Sequence, residues 1–216
     1  MDASPTPEKP LLRGVSHEVA AAFALAGGVA LVRAAPGLHA ALAAGVYGAA
    51  LTALFGVSAL YHRPSWGARA RLVMRRLDHA AIFLLIAGTY TPFCLLLPEA
   101  GGRALLALVW AGAVAGMLLS VLWPLAPKWL MAVLCVALGW AVVPVLPALR
   151  GAIGAGGLGL LLAGGLAYTA GAIVYATRRP DPFPRVFGYH EVFHALVVVA
   201  AVCHYVAVAG VVGALR

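Results

Sequence analysis

An all-α bundle of seven membrane-spanning helices is the fold class that three features of the sequence predict. The first is composition: 63% of the 216 residues are hydrophobic and only 10% are charged. A soluble domain of this size does not need so much apolar surface, so the bilayer is the expected solvent. The second is a recurrence of apolar runs, each of about twenty residues and so long enough to cross the hydrocarbon as a helix. The third is the placing of basic residues, which concentrate on one side of those runs.

In chain order, Met1–Pro10 carries Asp2, Glu8 and three prolines. That predicts a disordered tail rather than the basic start of a signal peptide. Residues 1–12 are read as a cytoplasmic tail and 13–216 as a single membrane domain. The expected spans are Val15–Val32, Leu38–His62, Leu77–Leu97, Ala104–Trp123, Trp129–Leu149, Leu158–Ala176 and Tyr189–Gly213. The breaks between them are short: Ala35–Gly37, Pro98–Gly102, Arg150-Gly151 and Arg178–Pro182. Pro144 and Pro147 weaken the fifth span, and Pro92 is expected to kink the third. Small residues such as Gly27-Gly28, Gly112–Gly116 and Gly164-Gly165 are read as close-packing surfaces between helices.

With seven spans, Lys9, Arg13, Arg63, Arg69, Arg71, Arg75, Arg76, Lys128, Arg178, Arg179 and Arg185 share the side of the N-terminus. Only Arg33, Arg103, Arg150 and Arg216 fall on the other. Eleven against four places the N-terminus in the cytoplasm and the C-terminus outside. The net charge of +8 therefore fits anionic lipid headgroups, and no nucleic-acid motif accompanies it. Cys94, Cys135 and Cys203 are dispersed through apolar runs, which suits buried hydrophobes rather than a disulfide framework or a cysteine–zinc cluster.

The same parity brings chemistry together. His190 and His194 are four apart at the start of the seventh span, so a helix stacks them on one face. His62 ends the second span and Asp78 starts the third, at the same membrane side. Three imidazoles with one open position are the ligand set of a catalytic zinc site, whose fourth position holds a water with its pKa lowered to about 7. Ionisable groups at such depth are costly and mark function. Each member also has a plainer reading. His62 alone can be an interfacial side chain, and Asp78 can pair with Arg75 or Arg76. His190-Glu191-Val192-Phe193-His194 matches the zincin pattern, which also occurs by chance.

Ser58, one turn before His62, either hydrogen-bonds a substrate oxygen or water at the metal, or bonds the carbonyl four residues back. His17 and Glu18 start the first span on the site's side and can support it from behind. His79 is expected to point away from Asp78. His204, about 15 Å deeper than His194, is expected to hydrogen-bond within the core. His39 is expected at the outer interface.

Ser58-Ala59-Leu60-Tyr61-His62, Arg76-Leu77-Asp78-His79 and Gly188–His194, with Arg13–His17 before them, resemble the hemolysin III family of the PAQR superfamily, which includes the adiponectin and membrane progestin receptors. The resemblance covers nearly the whole chain. It implies a seven-helix protein with a cytoplasm-side zinc ion on His62, His190 and His194. It also implies that Asp78 contacts the metal-bound water, with Ser58 near it. Eukaryotic relatives can carry glutamine at the position of Glu191, which argues against an obligatory zincin-type role there. The short tail resembles bacterial members, so the inner membrane is the expected location and hormone binding is not carried over.

The function this implies is a zinc-dependent hydrolase of membrane lipid amides, ceramidase-like, serving lipid homeostasis, with membrane lipids and an acyl-chain amphiphile as its partners. Other classes are a membrane sensor or receptor with structural zinc, a cytolytic protein, and an intramembrane protease. The sequence names no protein partner.

Overall fold

The computed structural model describes residues 9–97 and 102–215. The expected tail lies mostly, and the loop Pro98–Gly101 wholly, outside the described residues. Within them the protein is helical and contains no strand, only an isolated bridge between Phe183 and Phe187. The helices are α1 (Val15–Ala34), α2 (Gly37–His62), α3 (Ala68–Leu96), α4 (Gly102–Leu122), α5 (Lys128–Gly139), α6 (Leu146–Thr177) and α7 (Tyr189–Gly213). Six stretches are long and apolar enough to cross a membrane: α1, α2, α3, α4, α7 and the run Lys128–Thr177 taken whole. Their outward faces carry bare hydrophobes, with Phe23, Leu38 and Leu122 at least 75% exposed. A surface like that is stable only in contact with lipid. This is an integral membrane protein.

Successive helices pack against one another, and α7 touches α1, α2, α3 and α6. That central position is what lets residues at its start face the ends of α2 and α3. Small residues permit the closest approaches. A methyl group on Gly28 of α1 would lie 3.0 Å from the Cα of Gly48 on α2, and one on Gly116 of α4 would lie 2.3 Å from the Phe83 ring of α3. The small-residue surfaces of the sequence thus act as helix contacts. Replacing Gly28 with valine should push α1 off α2. The expected cost is on the order of 1–3 kcal/mol, read as a lower thermal midpoint in detergent.

Two boundaries differ from the sequence expectation. α3 begins at Ala68, nine residues before Leu77, so its four arginines Arg69, Arg71, Arg75 and Arg76 ride on helix. Its 29 residues span about 43 Å against about 30 Å of hydrocarbon, so the basic turns reach headgroup level. Hydropathy reports the lipid-buried part of a helix, not the whole of it.

The other difference lies between Lys128 and Thr177. α5 stops at Gly139, and Trp140–Val145 forms a 3-10 turn containing Pro144. Proline has no N–H to continue the α-helical ladder and its ring crowds the carbonyl four residues back. The expected break at Arg150-Gly151 is helical instead. The backbone turns at Gly154, whose φ of 69° is open to glycine and strained for other residues. The indole of Trp140 donates to Thr169 Oγ1 at 2.9 Å. Twenty-nine residues of straight helix would separate those two by about 43 Å, so the chain folds back between them. Pro92 is buried within α3, which runs on to Leu96.

Candidate metal centre

Local sequence fixes where the histidines stand. His62 is the last residue of α2, ahead of Arg63-Pro64. Gly14, at the entry to α1, has φ 80°, and a Cβ there would come within 2.7 Å of the His62 Cβ. Glycine is required at that position on both counts. The first turn of α7 is held by two carboxylates. Glu191 Oε2 accepts from the backbone N–H of Gly188 at 2.8 Å, and Asp181 Oδ1 from that of Tyr189 at 2.7 Å. These satisfy donors that a helix start leaves without partners. The other oxygen of Glu191 is paired with the Arg13 guanidinium.

His62, His190 and His194 come together, with one nitrogen from each all within 4.8 Å of one another. The closest pair, His62 Nε2 and His190 Nε2, is 3.1 Å apart. Tetrahedral metal–nitrogen bonds of about 2.0–2.1 Å put neighbouring nitrogens about 3.3 Å apart, so little movement separates this triad from a coordination shell. All three side chains are buried, His194 almost completely. Three imidazoles so packed, with no carboxylate nearer than Asp78, are a donor set suited to a metal ion. The described residues therefore contain a site able to hold one.

Asp78 Oδ2 stands 4.0 Å from His62 Nε2. No ion pair joins it to Arg75 or Arg76 among the described residues. Ser58 bonds a side chain of α1 rather than the carbonyl four residues back. Its hydroxyl is 2.8 Å from His17 Nδ1 and also lies beside the Asp78 carboxyl. His17 in turn stacks on His194, centroids 3.7 Å apart and planes 9° from parallel. Sequence reasoning undervalued His17, because a single histidine at a helix start carries no periodicity that would point inward.

Glu191, with both oxygens taken, faces Arg13 and the α7 backbone rather than open space at the triad. Glu191→Ala should therefore lower stability by about 1–3 kcal/mol through a lost cap and a stranded arginine, measured by thermal unfolding. His79 meets the Tyr175 hydroxyl at 3.4 Å. His204 Nε2 is 3.2 Å from the Leu161 carbonyl, deep in the bundle, as its ten-residue offset requires. His39 is exposed. The three cysteines are free.

Below the triad, a cavity of about 970 Å³ runs into the bundle, past Leu85, Phe93 and Val197 to Tyr168 and His204. Hydropathy could not show it, since lipid-facing and cavity-facing residues are equally apolar.

The sequence profile described as haemolysin-III related matches residues 6–205. The chain belongs to the haemolysin-III family. It is 30% identical over 154 residues to the Hemolysin-3 homolog of Bacillus subtilis (strain 168), covering 70% of this chain and 68% of that protein. It is 36% identical over 133 residues to Hemolysin-3 of Bacillus cereus, covering 60% and 59%. The plant protein Heptahelical transmembrane protein ADIPOR2, from Oryza sativa subsp. japonica, is 40% identical over 158 residues, covering 65% and 68%. The haemolysin-III match takes in His17, Ser58, His62, Asp78, His190 and His194 together.

Proposed function

We propose that this haemolysin-III protein is a zinc-dependent hydrolase of membrane lipid amides, working from the cytoplasmic leaflet of a bacterial inner membrane in lipid homeostasis. The observation that carries the reading is a buried three-histidine site beside a carboxylate, opening onto a long apolar cavity. Cavities of that size hold small ligands by apolar walls and a few convergent polar groups. Here an acyl chain would lie along Leu85, Phe93 and Val197, with its amide at the histidines.

His62, His190 and His194 would hold the zinc, which supplies Lewis-acid polarisation of a carbonyl and acidification of water. Asp78 takes a proton from the attacking water and delivers it to the leaving amine nitrogen. Ser58, fixed by His17, hydrogen-bonds an oxygen of the reacting group. Arg13, Glu191 and Gly188 hold the first turn of α7 and so aim two of the ligands. Incubating the purified protein with vesicles carrying neutral and anionic N-acyl amide lipids in turn, and measuring released fatty acid from each, tests the activity directly. No release above a metal-stripped control would sink it.

A second reading rests on the nearness of Asp78. A small shift would let its carboxylate close the shell as a fourth ligand, giving a structural zinc in a non-enzymatic sensor. The name of the B. cereus relative offers cytolysis, which altered lipid composition would produce without a pore.

Topology follows from length and charge. The 50 residues of Lys128–Thr177 would extend about 75 Å as one helix, more than twice the hydrocarbon thickness. Two crossings turning at Gly154 make seven, in keeping with the plant relative's name. The eleven-to-four basic bias then puts the N-terminus in the cytoplasm and the C-terminus outside. Reporter fusions at the two termini should give opposite signals; a cytoplasmic C-terminus would remove the cytoplasmic assignment of the site.

A further inference from the structure

The cavity mouth is strongly basic, and two of its cations are built into it. The Lys128 ammonium, half-buried at the start of α5, donates to the Tyr189 hydroxyl at 3.0 Å and lies over the rings of Tyr175 and Tyr189, 4.5 and 5.0 Å from their centroids. Arg75, half-buried on α3 one turn before His79, lines the same mouth. Both act electrostatically on His79, whose ring meets Tyr175, and the Tyr175 ring is 6.2 Å from that of His190. The two cations thus converge on one side of the histidine triad.

Among the described residues, no carboxylate lies within 4.0 Å of either cation. Of the carboxylates at the mouth, Asp181 is occupied with the N–H of Tyr189 and Asp78 stands by His62. Arg13, by contrast, is paired with Glu191, and Arg63 with Glu18. Basic residues on one membrane side need only reach lipid headgroups from the outer surface. Lys128 and Arg75 instead line the cavity, where Arg75 feels the Asp78 carboxyl electrostatically without an ion pair and Lys128 pairs with no carboxylate among the described residues. A partly desolvated cation so placed is costly until an anion arrives.

We propose that Arg75 and Lys128 bind an anionic group, a phosphate or carboxylate, of an amphiphile whose chain occupies the cavity. This rests on the lipid-amide reading for the direction of the chain. The substrate class becomes N-acyl amides whose amine portion carries an anionic group, rather than neutral ceramides.

The test is ligand-dependent thermal stabilisation of the metal-loaded protein in an uncharged detergent. Dodecyl phosphate and dodecanol are compared as probes, with inorganic phosphate alone as a third arm. Dodecyl phosphate should bind at least tenfold more tightly than dodecanol. Lys128→Met and Arg75→Gln should each cut that preference by about tenfold. Dodecanol affinity should be unchanged, which reports an intact cavity, and Lys128→Arg should restore much of the preference. Equal binding of alcohol and phosphate, or an undiminished preference in both variants, overturns the proposal. Stabilisation by inorganic phosphate equal to that by dodecyl phosphate also overturns it, by making the site one for free anions. Binding is read without turnover, so a preserved preference in a protein that hydrolyses nothing sinks only the enzymatic reading.

Discussion

Alanine at His62, His190 or His194 is expected to empty the metal site, and each variant purified alone should lose nearly all bound metal. Among the described residues, three histidine nitrogens within 4.8 Å of one another make up the candidate donor set, and losing one leaves two imidazoles. That is a larger loss than the roughly 10–100-fold that removing a supporting hydrogen bond costs. His17→Ala supplies the contrast. It deletes the ring stacked on His194 and the bond to Ser58 but no ligand, so it should weaken binding within that smaller range. Elemental analysis of the four proteins, with a competing chelator to rank affinities, reads both effects. Full occupancy after any one histidine substitution removes that residue from the ligand set. Chelation of the wild type should also lower its thermal midpoint, because metal bound only to the folded protein stabilises it by mass action.

Much of this centre was legible before any coordinates. The spacing of His190 and His194 fixes a shared helical face, and the alternation of spans brings His62 and Asp78 to the same membrane side. Both inferences need only chain length and periodicity. What stayed hidden depends on tertiary contact. The stacking of His17 on His194 exists because α1 packs against α7, and the Ser58–His17 bond follows from it. The cavity is silent in the sequence because a chain facing lipid and a chain facing an acyl ligand want the same side chains. Helix boundaries failed where helicity and hydropathy part company. The arginine-rich turns of α3 are helical outside the apolar run, and Gly154 turns the backbone where Arg150-Gly151 had the better polar signal. Glu191 shows a different limit. A pattern match suggests a base, but the same carboxylate is also well placed to cap its own helix, and only the Arg13 contact shows where both oxygens go.

Asp78 and Glu191 therefore make the sharpest comparison. Asp78→Asn keeps the shape of the side chain 4.0 Å from His62 and removes its capacity to accept a proton. The variant should fold, retain its metal and lose lipid-amide hydrolysis by about 10²–10⁴-fold, the usual worth of general acid–base assistance. Glu191→Gln preserves an oxygen able to accept from Gly188 and loses only the charge facing Arg13, so it should cost stability and little rate. The two carboxylates are distinguished by measuring fatty-acid release and metal content on the same preparations. A dead Glu191→Gln beside a normal Asp78→Asn would reverse the roles and restore a zincin-like mechanism. An Asp78→Asn protein that loses its metal along with its activity would mean that the carboxylate belongs to the coordination shell. If both variants match the wild type in every assay, the buried triad is a structural clasp between α2 and α7, and the sensor reading takes precedence over catalysis.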